Sequence, residues 1–156
     1  MEKSITIIIL FFCIFFFPYC KRESIKIEKN IFNSDYYLQK NYNNKIQFLD
    51  SLSSFSRKLS NDSNSKEFLF NLAAEYYYLN DYQKSLYISR QIYGMAKKSY
   101  DTLNLAKAYY YIGDAYEQNH RDSAYHYYKK AEKLYQLIGN DELRGKMLFN
   151  KGYILF

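Results

Sequence analysis

The residues best suited to chemistry in this chain are its two cysteines and its two histidines. Cys13 and Cys20 both lie in the hydrophobic N-terminal segment, so the remaining sequence has no thiol for a metal site, a catalytic nucleophile or a disulfide framework. His120 and His126 do not share one helix face, as an i, i+4 metal pair would. We therefore expect two surface histidines, no metal site and no cofactor.

Signatures of catalysis are also missing from the rest of the sequence. It contains no His-Glu-x-x-His motif, no glycine-flanked serine and no phosphate-binding loop. The acidic residues are scattered, and no pair of them is expected to lie in an apolar pocket where one pKa would rise. The chain is therefore not expected to be an enzyme, and an activity would require residues beyond Phe156.

The basic residues are distributed along the chain rather than gathered on one surface. The net charge of +6 arises from lysines and arginines that alternate with acidic residues. Pairs such as Lys97-Lys98 and Lys129-Lys130 are typical of solvated helix faces, whereas nucleic-acid binding requires a clustered basic patch. We expect this part of the chain to bind no nucleic acid.

Residues 1–20 read as a sorting signal rather than as part of the fold. Lys3 precedes an almost uninterrupted apolar run from Ser4 to Phe17, which is shorter than the roughly 20 residues of a membrane span and matches a signal-peptide core. Cys20 ends this segment and charged residues follow it, an arrangement that resembles a bacterial lipoprotein signal, although Tyr19 stands where such signals usually carry a small residue. The resemblance implies lipidation at Cys20; an uncleaved anchor is the other interpretation. Either one predicts a membrane-anchored chain on the exported side of the cell envelope.

Composition after this segment favours helices. The chain has 5 glycines and 1 proline, Pro18, and these are the two residue types that cost most in a helix interior. Residues 21–41 are expected to form a linker with a possible short helix.

The body of the chain contains a repeat of about forty residues. Four residues at spacings of 3, 1 and 3, with a small residue in third place, recur as follows: Leu69, Leu72, Ala73 and Tyr76, then Tyr109, Ile112, Gly113 and Tyr116. Gly152, between Leu148 and Leu155, marks a third occurrence. Each small residue should allow a neighbouring helix to approach closely. These sets alternate with second amphipathic runs, and Gly139 is expected to cap a helix C-terminus and Asp101 or Asp141 an N-terminus.

These residues resemble the tetratricopeptide repeat, whose pattern is W-x2-L-G-x2-Y followed by A-x3-F-x2-A. The best match runs from Tyr109 through Gly113 and Tyr116 to Ala124, Tyr128 and Ala131, with Tyr109 in place of Trp and without the closing Pro. The resemblance implies an all-α fold, a right-handed α-solenoid of antiparallel helix pairs. We assign residues 42–65 to a degenerate helical repeat, 66–101 and 102–141 to complete repeats, and 142–156 to the first helix of a truncated repeat.

In this family the first helix of each repeat lines a concave groove. The matching positions here form a predicted peptide groove of eight residues: Phe70, Ala74, Tyr77, Tyr110, Asp114, Glu117, Phe149 and Tyr153. The family's carboxylate clamp for chaperone tails needs Lys and Asn at such positions, so a chaperone-tail receptor is not expected. The other tyrosines on the repeat pattern are expected in the core: Tyr76, Tyr109, Tyr116, Tyr128 and Tyr135.

Two functions remain open from the sequence. The first is an envelope scaffold that binds a protein or peptide through an aromatic groove. The second is the sensor portion of a larger bacterial regulator or kinase, truncated here, which would continue into a membrane span.

Overall fold

The computed structural model describes residues 42–155, and all regular structure in this range is helical. The six helices there are α1 (Tyr42–Ser56), α2 (Ser63–Tyr78), α3 (Tyr82–Lys98), α4 (Thr102–Glu117), α5 (Arg121–Leu137) and α6 (Asp141–Tyr153). The all-α prediction is therefore confirmed. Residues 1–41, with the predicted signal, Cys20 and the linker, lie outside the described residues, as does Phe156.

The helices follow one another in space in the order of the sequence. Each packs on the next one along the chain, and α2 in addition contacts α4. The amphipathic patterns explain this order, because each helix carries apolar residues at i, i+3, i+4 spacing that are buried only against neighbouring helices. The contact of α2 with α4 brings together the first helices of the two predicted complete repeats.

Three of the connections between helices share one backbone arrangement. In each, a residue with positive φ follows the helix, namely Asn80 (φ 60), Tyr100 (φ 54) and Gly139 (φ 70). The amide of that residue and the amide of the next one donate back to carbonyls in the last helical turn, as in the Schellman motif. Gly139 therefore ends a helix as predicted.

The residue after each positive-φ position caps the next helix. Asp81, Asp101 and Asn140 each accept a hydrogen bond from the backbone amide three positions later. The predicted N-cap Asp101 is confirmed. The predicted N-cap Asp141, at the start of α6, is wrong. Since the turn after Gly139 is complete within one residue, Asn140 occupies the capping position and Asp141 is already the first helical residue.

The five tyrosines that were predicted to lie in the core differ in their burial. Tyr76, Tyr128 and Tyr135 are almost completely buried, which confirms their predicted place in the core. Tyr109 and Tyr116 are only partly buried, so the prediction is wrong for them. They belong to a line of rings across α3, α4 and α5, in which neighbouring ring centroids are 5.3–6.0 Å apart: Tyr93–Tyr109, Tyr109–Tyr127 and Tyr127–Tyr116.

Gly113 sets the closest approach between α4 and α5. A Cβ atom at this position would lie 2.6 Å from two ring atoms of Tyr128, closer than a packed carbon allows. The small residue of the repeat pattern therefore has the predicted role at this site. A Cβ at Gly152 would meet nothing within 4 Å, so the same expectation is wrong there.

A buried ion pair connects α2 to the α3–α4 turn. The Lys66 ammonium lies 2.6 Å from Asp101 Oδ2 and 3.2 Å from Ser99 Oγ, and the Lys66 side chain is only 5% exposed. Asp101 thus neutralises a buried charge and caps α4 at the same time. Burial alone would raise the pKa of Asp101, but hydrogen bonds from Asn104 and Lys66 lower it below its ordinary value.

Candidate functional site

A cleft opens between α2 and α4, the first helices of the two predicted complete repeats. Its volume is ≈ 90 Å³, and it is lined by Ala74, Tyr77, Tyr78, Ser85, Tyr110, Tyr111 and Asp114. The four tyrosines come from the consecutive runs 76–78 and 109–111, which point successive rings in different directions around each helix. A cleft of this size accommodates the end of one side chain, whereas pockets for drug-sized ligands measure roughly 300–1,000 Å³.

Asp114 supplies the only carboxylate among the residues that line this cleft. Burial raises the pKa of Asp114 to about 6, although hydrogen bonds from Tyr128 and Tyr110 favour its charged form. Glu117, one helical turn further along α4, raises it further, and Lys146 of α6 opposes that effect. The carboxyl group is therefore held at an aromatic wall with a proton affinity far above that of an exposed aspartate.

The hydroxyl group of Tyr128 joins two carboxyl groups. It lies 2.7 Å from Asp114 Oδ1 and 2.6 Å from Glu117 Oε2. A phenol has one hydrogen, so both contacts are hydrogen bonds only when one carboxyl group carries a proton. The expectation that no pair of acidic residues shares a buried site where one pKa rises is therefore wrong, because the turn between α4 and α5 places Tyr128 over both Asp114 and Glu117.

The negative charge of Asp114 and Glu117 contributes to raised pKa values of the surrounding tyrosines. Burial, followed by the charges of Asp114 and Glu117, raises the pKa of Tyr77 to about 12. Burial and Asp114 likewise raise the pKa of Tyr110 above its ordinary range. These phenols remain neutral hydrogen-bond donors at physiological pH, and both rings take part in aromatic contacts, Tyr77 with Tyr78 and Tyr82 and Tyr110 with Tyr111 and Tyr128.

Two lysines already place their ammonium groups over aromatic rings beside the cleft. Lys146 Nζ lies 4.4 Å from the ring centroid of Tyr110, and Lys107 Nζ lies 4.2 Å from that of Phe70. Both distances are within the range of cation–π attraction. Burial lowers the pKa of Lys107, and the charge of Glu67 opposes that shift. The aromatic surface of α2 and α4 thus has the geometry that attracts cations.

The structure brings together four of the eight predicted groove residues. Ala74, Tyr77, Tyr110 and Asp114 line the cleft, and Glu117 adjoins it through Tyr128. Whether a peptide binds there stays a prediction.

The other three predicted residues lie elsewhere. Phe70 is 1% exposed, because Tyr111 packs on its ring at 5.1 Å and Lys107 covers it; its assignment to an open groove is wrong. Phe149 and Tyr153 are 73% and 62% exposed on α6 and do not line the cleft. Phe149 of α6 corresponds in the repeat pattern to Phe70 of α2. Phe149 is exposed, whereas side chains of α4 cover Phe70.

Sequence reasoning missed Tyr78, Ser85 and Tyr111 as lining residues. Tyr78 and Tyr111 immediately follow Tyr77 and Tyr110, and the paired aromatic runs were the signal that could have found them. Ser85 comes from α3, and no repeat motif marks it as part of a site.

The described residues form neither a metal site nor a membrane span. Within 42–155, no group of three or more His, Cys, Asp or Glu side chains is arranged to hold a metal ion. His120 and His126 are exposed and make edge-to-face ring contacts with Tyr116 and Tyr127, respectively. None of the helices α1–α6 combines the length and apolar character needed to cross a bilayer.

Comparison with protein-family models, curated proteins and solved structures found no match for this chain.

Proposed function

We propose that this chain is a helical-repeat scaffold that binds an extended peptide or a partner protein along the surface formed by α2 and α4. The observation that carries the proposal is the cleft itself, in which Ala74 and Asp114, from equivalent positions of the two predicted repeats, come together with Tyr77 and Tyr110. Tyrosine suits such a surface because it offers a large rigid contact area and a polar tip at low entropic cost.

We also propose that the helices form a right-handed α-solenoid. Successive antiparallel helix pairs, with α2 against α4, are what a right-handed α-solenoid of the tetratricopeptide type requires. Residues 66–101 and 102–141 would be its complete repeats. In such an arrangement, the first helices of consecutive repeats line a common face, and a partner could contact several of them at once.

Location at the cell envelope is proposed from the sequence of residues 1–20. The apolar run that ends at Cys20 would export the chain, and lipidation of that cysteine, or retention of the segment as an anchor, would tether it. Intact mass after membrane extraction tests lipidation. An added acyl mass that disappears in Cys20→Ala is expected, and a wild-type chain without added mass contradicts it.

Selection from a library of displayed unstructured peptides tests the binding function. The full chain, held in an uncharged detergent, should enrich peptides that lose binding to a Tyr77→Ala variant. Tyr87→Ala is the matched control, because Tyr87 is an exposed tyrosine of α3 outside the cleft. A selection that enriches no peptide, or peptides that bind the Tyr77→Ala variant unchanged, contradicts the proposal.

A further inference from the structure

We propose that the cleft between α2 and α4 is a receptor for an ammonium group, and specifically for the end of a lysine side chain presented by a partner peptide. This inference rests on the proposed function and assigns a chemical class of ligand to its central pocket. The observations that carry it are the four tyrosine rings, the carboxyl group of Asp114 and the small volume of the cleft.

The shape of the cleft selects a narrow, extended group. At ≈ 90 Å³ and with four tyrosines around it, the cleft accepts a methylene chain with a compact end, and Ala74 leaves space between the rings of the two helices. A lysine side chain has this form: its apolar stem contacts ring surfaces and its charged end remains free for a polar partner. Aromatic walls of this kind are also the usual surroundings of bound ammonium groups.

The charge of the cleft selects a cation over an anion. Asp114 lines it directly, and Glu117 adds a second carboxyl group through the shared hydroxyl of Tyr128. Tyr77 and Tyr110 line the same cleft, and the ammonium group of Lys146 already lies over the Tyr110 ring. An ammonium group can donate up to three hydrogen bonds to the carboxylate and phenolic oxygens, whereas the phenols could hold an anion only against the negative charge of the two carboxyl groups.

Lys146 already places an ammonium group beside the cleft, and it would compete with an ammonium group from a partner. Its ammonium lies 4.4 Å from the Tyr110 ring centroid and is close enough to Asp114 to lower the pKa of that carboxyl group. Lys146 is an exposed residue of α6, so its flexible side chain partly neutralises the cleft without filling it. An external ammonium must therefore compete with Lys146, and removal of this lysine should strengthen binding.

Proton uptake by Asp114 should weaken binding. The groups facing its carboxyl are Tyr77 from α2, Tyr128 and Tyr135 from α5, Lys146 from α6, and Tyr110, Tyr111 and Glu117 from α4 itself. The tyrosines remain neutral through the acidic range, so the carboxyl groups determine the charge there. Since the pKa of Asp114 is raised to about 6, affinity for a cation should fall as the pH drops through 6.

Two small probes test the inference with the full chain in an uncharged detergent. N-acetyl-lysine methylamide carries the ammonium group, and N-acetyl-norleucine methylamide has a similar stem without it. The tyrosine ring signals of an isotope-labelled chain report binding, with Tyr77→Phe and Tyr110→Phe variants to assign them. We expect the lysine probe to shift the signals of Tyr77 and Tyr110 at a concentration at least about tenfold lower than the norleucine probe, the ratio expected when an ion pair and a cation–π contact together contribute about 1.4 kcal/mol.

Three variants identify the groups responsible. Asp114→Asn should lose the preference for the lysine probe, Lys146→Gln should increase affinity for it, and Asp122→Asn should change nothing, because Asp122 is an exposed carboxylate outside the cleft. Lys146→Gln lies at an exposed position, so it remains informative if Asp114→Asn does not fold. Equal binding of the two probes overturns the inference, and so does an unchanged affinity in both Asp114→Asn and Lys146→Gln.

The outcome separates this inference from the proposed function. If selected peptides bind through Tyr77 but need no lysine, the ammonium site is wrong and the peptide-binding function stands. If the lysine probe binds as described but no longer peptide is ever selected, the cleft is a site for a small cation and the scaffold function fails.

Discussion

Gly113 shows at the scale of one residue how the packing of α4 on α5 depends on a missing side chain. The Tyr128 ring occupies the space that a Cβ would need, and the hydroxyl of the same ring reaches Asp114 and Glu117. The position of this tyrosine is therefore fixed from both ends. A change at Gly113 displaces the ring and with it the hydrogen bonds beside the cleft.

We expect Gly113→Ala to lower the free energy of unfolding by about 1–3 kcal/mol, the usual cost of an overpacked core. Urea denaturation followed by circular dichroism measures this. Gly94→Ala is the control: it lies inside α3 with nothing within 4 Å of a new Cβ, so helix propensity should raise stability by up to ~1 kcal/mol. Equal stability of the two variants would show that the Tyr128 ring has space to move.

Asp114 also makes stability depend on pH. Its pKa is about 6 in the fold and near 3.8 in an unfolded chain, so the folded state binds more protons between these values. The contribution of this group to stability is therefore present below about pH 4 and is lost as the pH rises through 6. Burial of the carboxyl group is the cause, and the loss is on the order of 1–3 kcal/mol.

The comparison with Asp114→Asn isolates this effect from other carboxyl groups. Asp50, Asp62 and Asp101 have lowered pKa values and act in the opposite direction, but they are the same in both proteins. We expect the variant to gain stability relative to the wild type as the pH rises from 4 to 7, measured by urea unfolding at each pH. A difference that stays constant with pH would mean that Asp114 is ionised throughout.

At the scale of helices, the sequence predicted the helices and their buried faces better than it predicted the contacts around the cleft. The i, i+3, i+4 patterns around Tyr76 and Tyr128 indicated both the helices and their buried faces, because a helix face depends on local spacing. The burial of Phe70 could not be predicted in this way, since it depends on Tyr111 and Lys107 from another helix. The Asp114–Tyr128–Glu117 contact likewise depends on how α5 turns back on α4.

Tyr100 gives a test of the turns between helices. Its φ is 54°, a left-handed conformation that costs a residue with a Cβ roughly 1 kcal/mol, and its side chain is 93% exposed. We expect Tyr100→Gly to raise the free energy of unfolding by about that amount, and Gly139→Ala, at φ 70, to lower it similarly. Thermal and urea unfolding measure both. A loss of stability in Tyr100→Gly would indicate that the exposed ring makes a favourable contact.

At the scale of the whole molecule, the helices differ in how many neighbours protect them. Among the described residues, α4 packs on α2, α3 and α5, whereas the main neighbour of α6 is α5, with the Lys146 side chain of α6 also lying over the Tyr110 ring of α4. Local opening should therefore cost more in α4 than in α6. We expect hydrogen exchange followed by mass spectrometry to find the slowest amides in α4 and much faster exchange in α6. Equal protection of both helices would show that the fold opens only as one unit.

The similar turns at Tyr100 and Gly139 affect how the chain could gain further helix pairs in evolution. Asp101 follows one positive-φ residue and begins a helix, and Gly139 occupies the equivalent positive-φ position at the end of the next helix pair. A duplicated stretch from Asp101 to Gly139, spliced in front of Asn140, would join Gly139 to Asp101 and so recreate a junction of the same type at each seam. Gene duplication can therefore lengthen this chain by whole helix pairs without inventing a new connection.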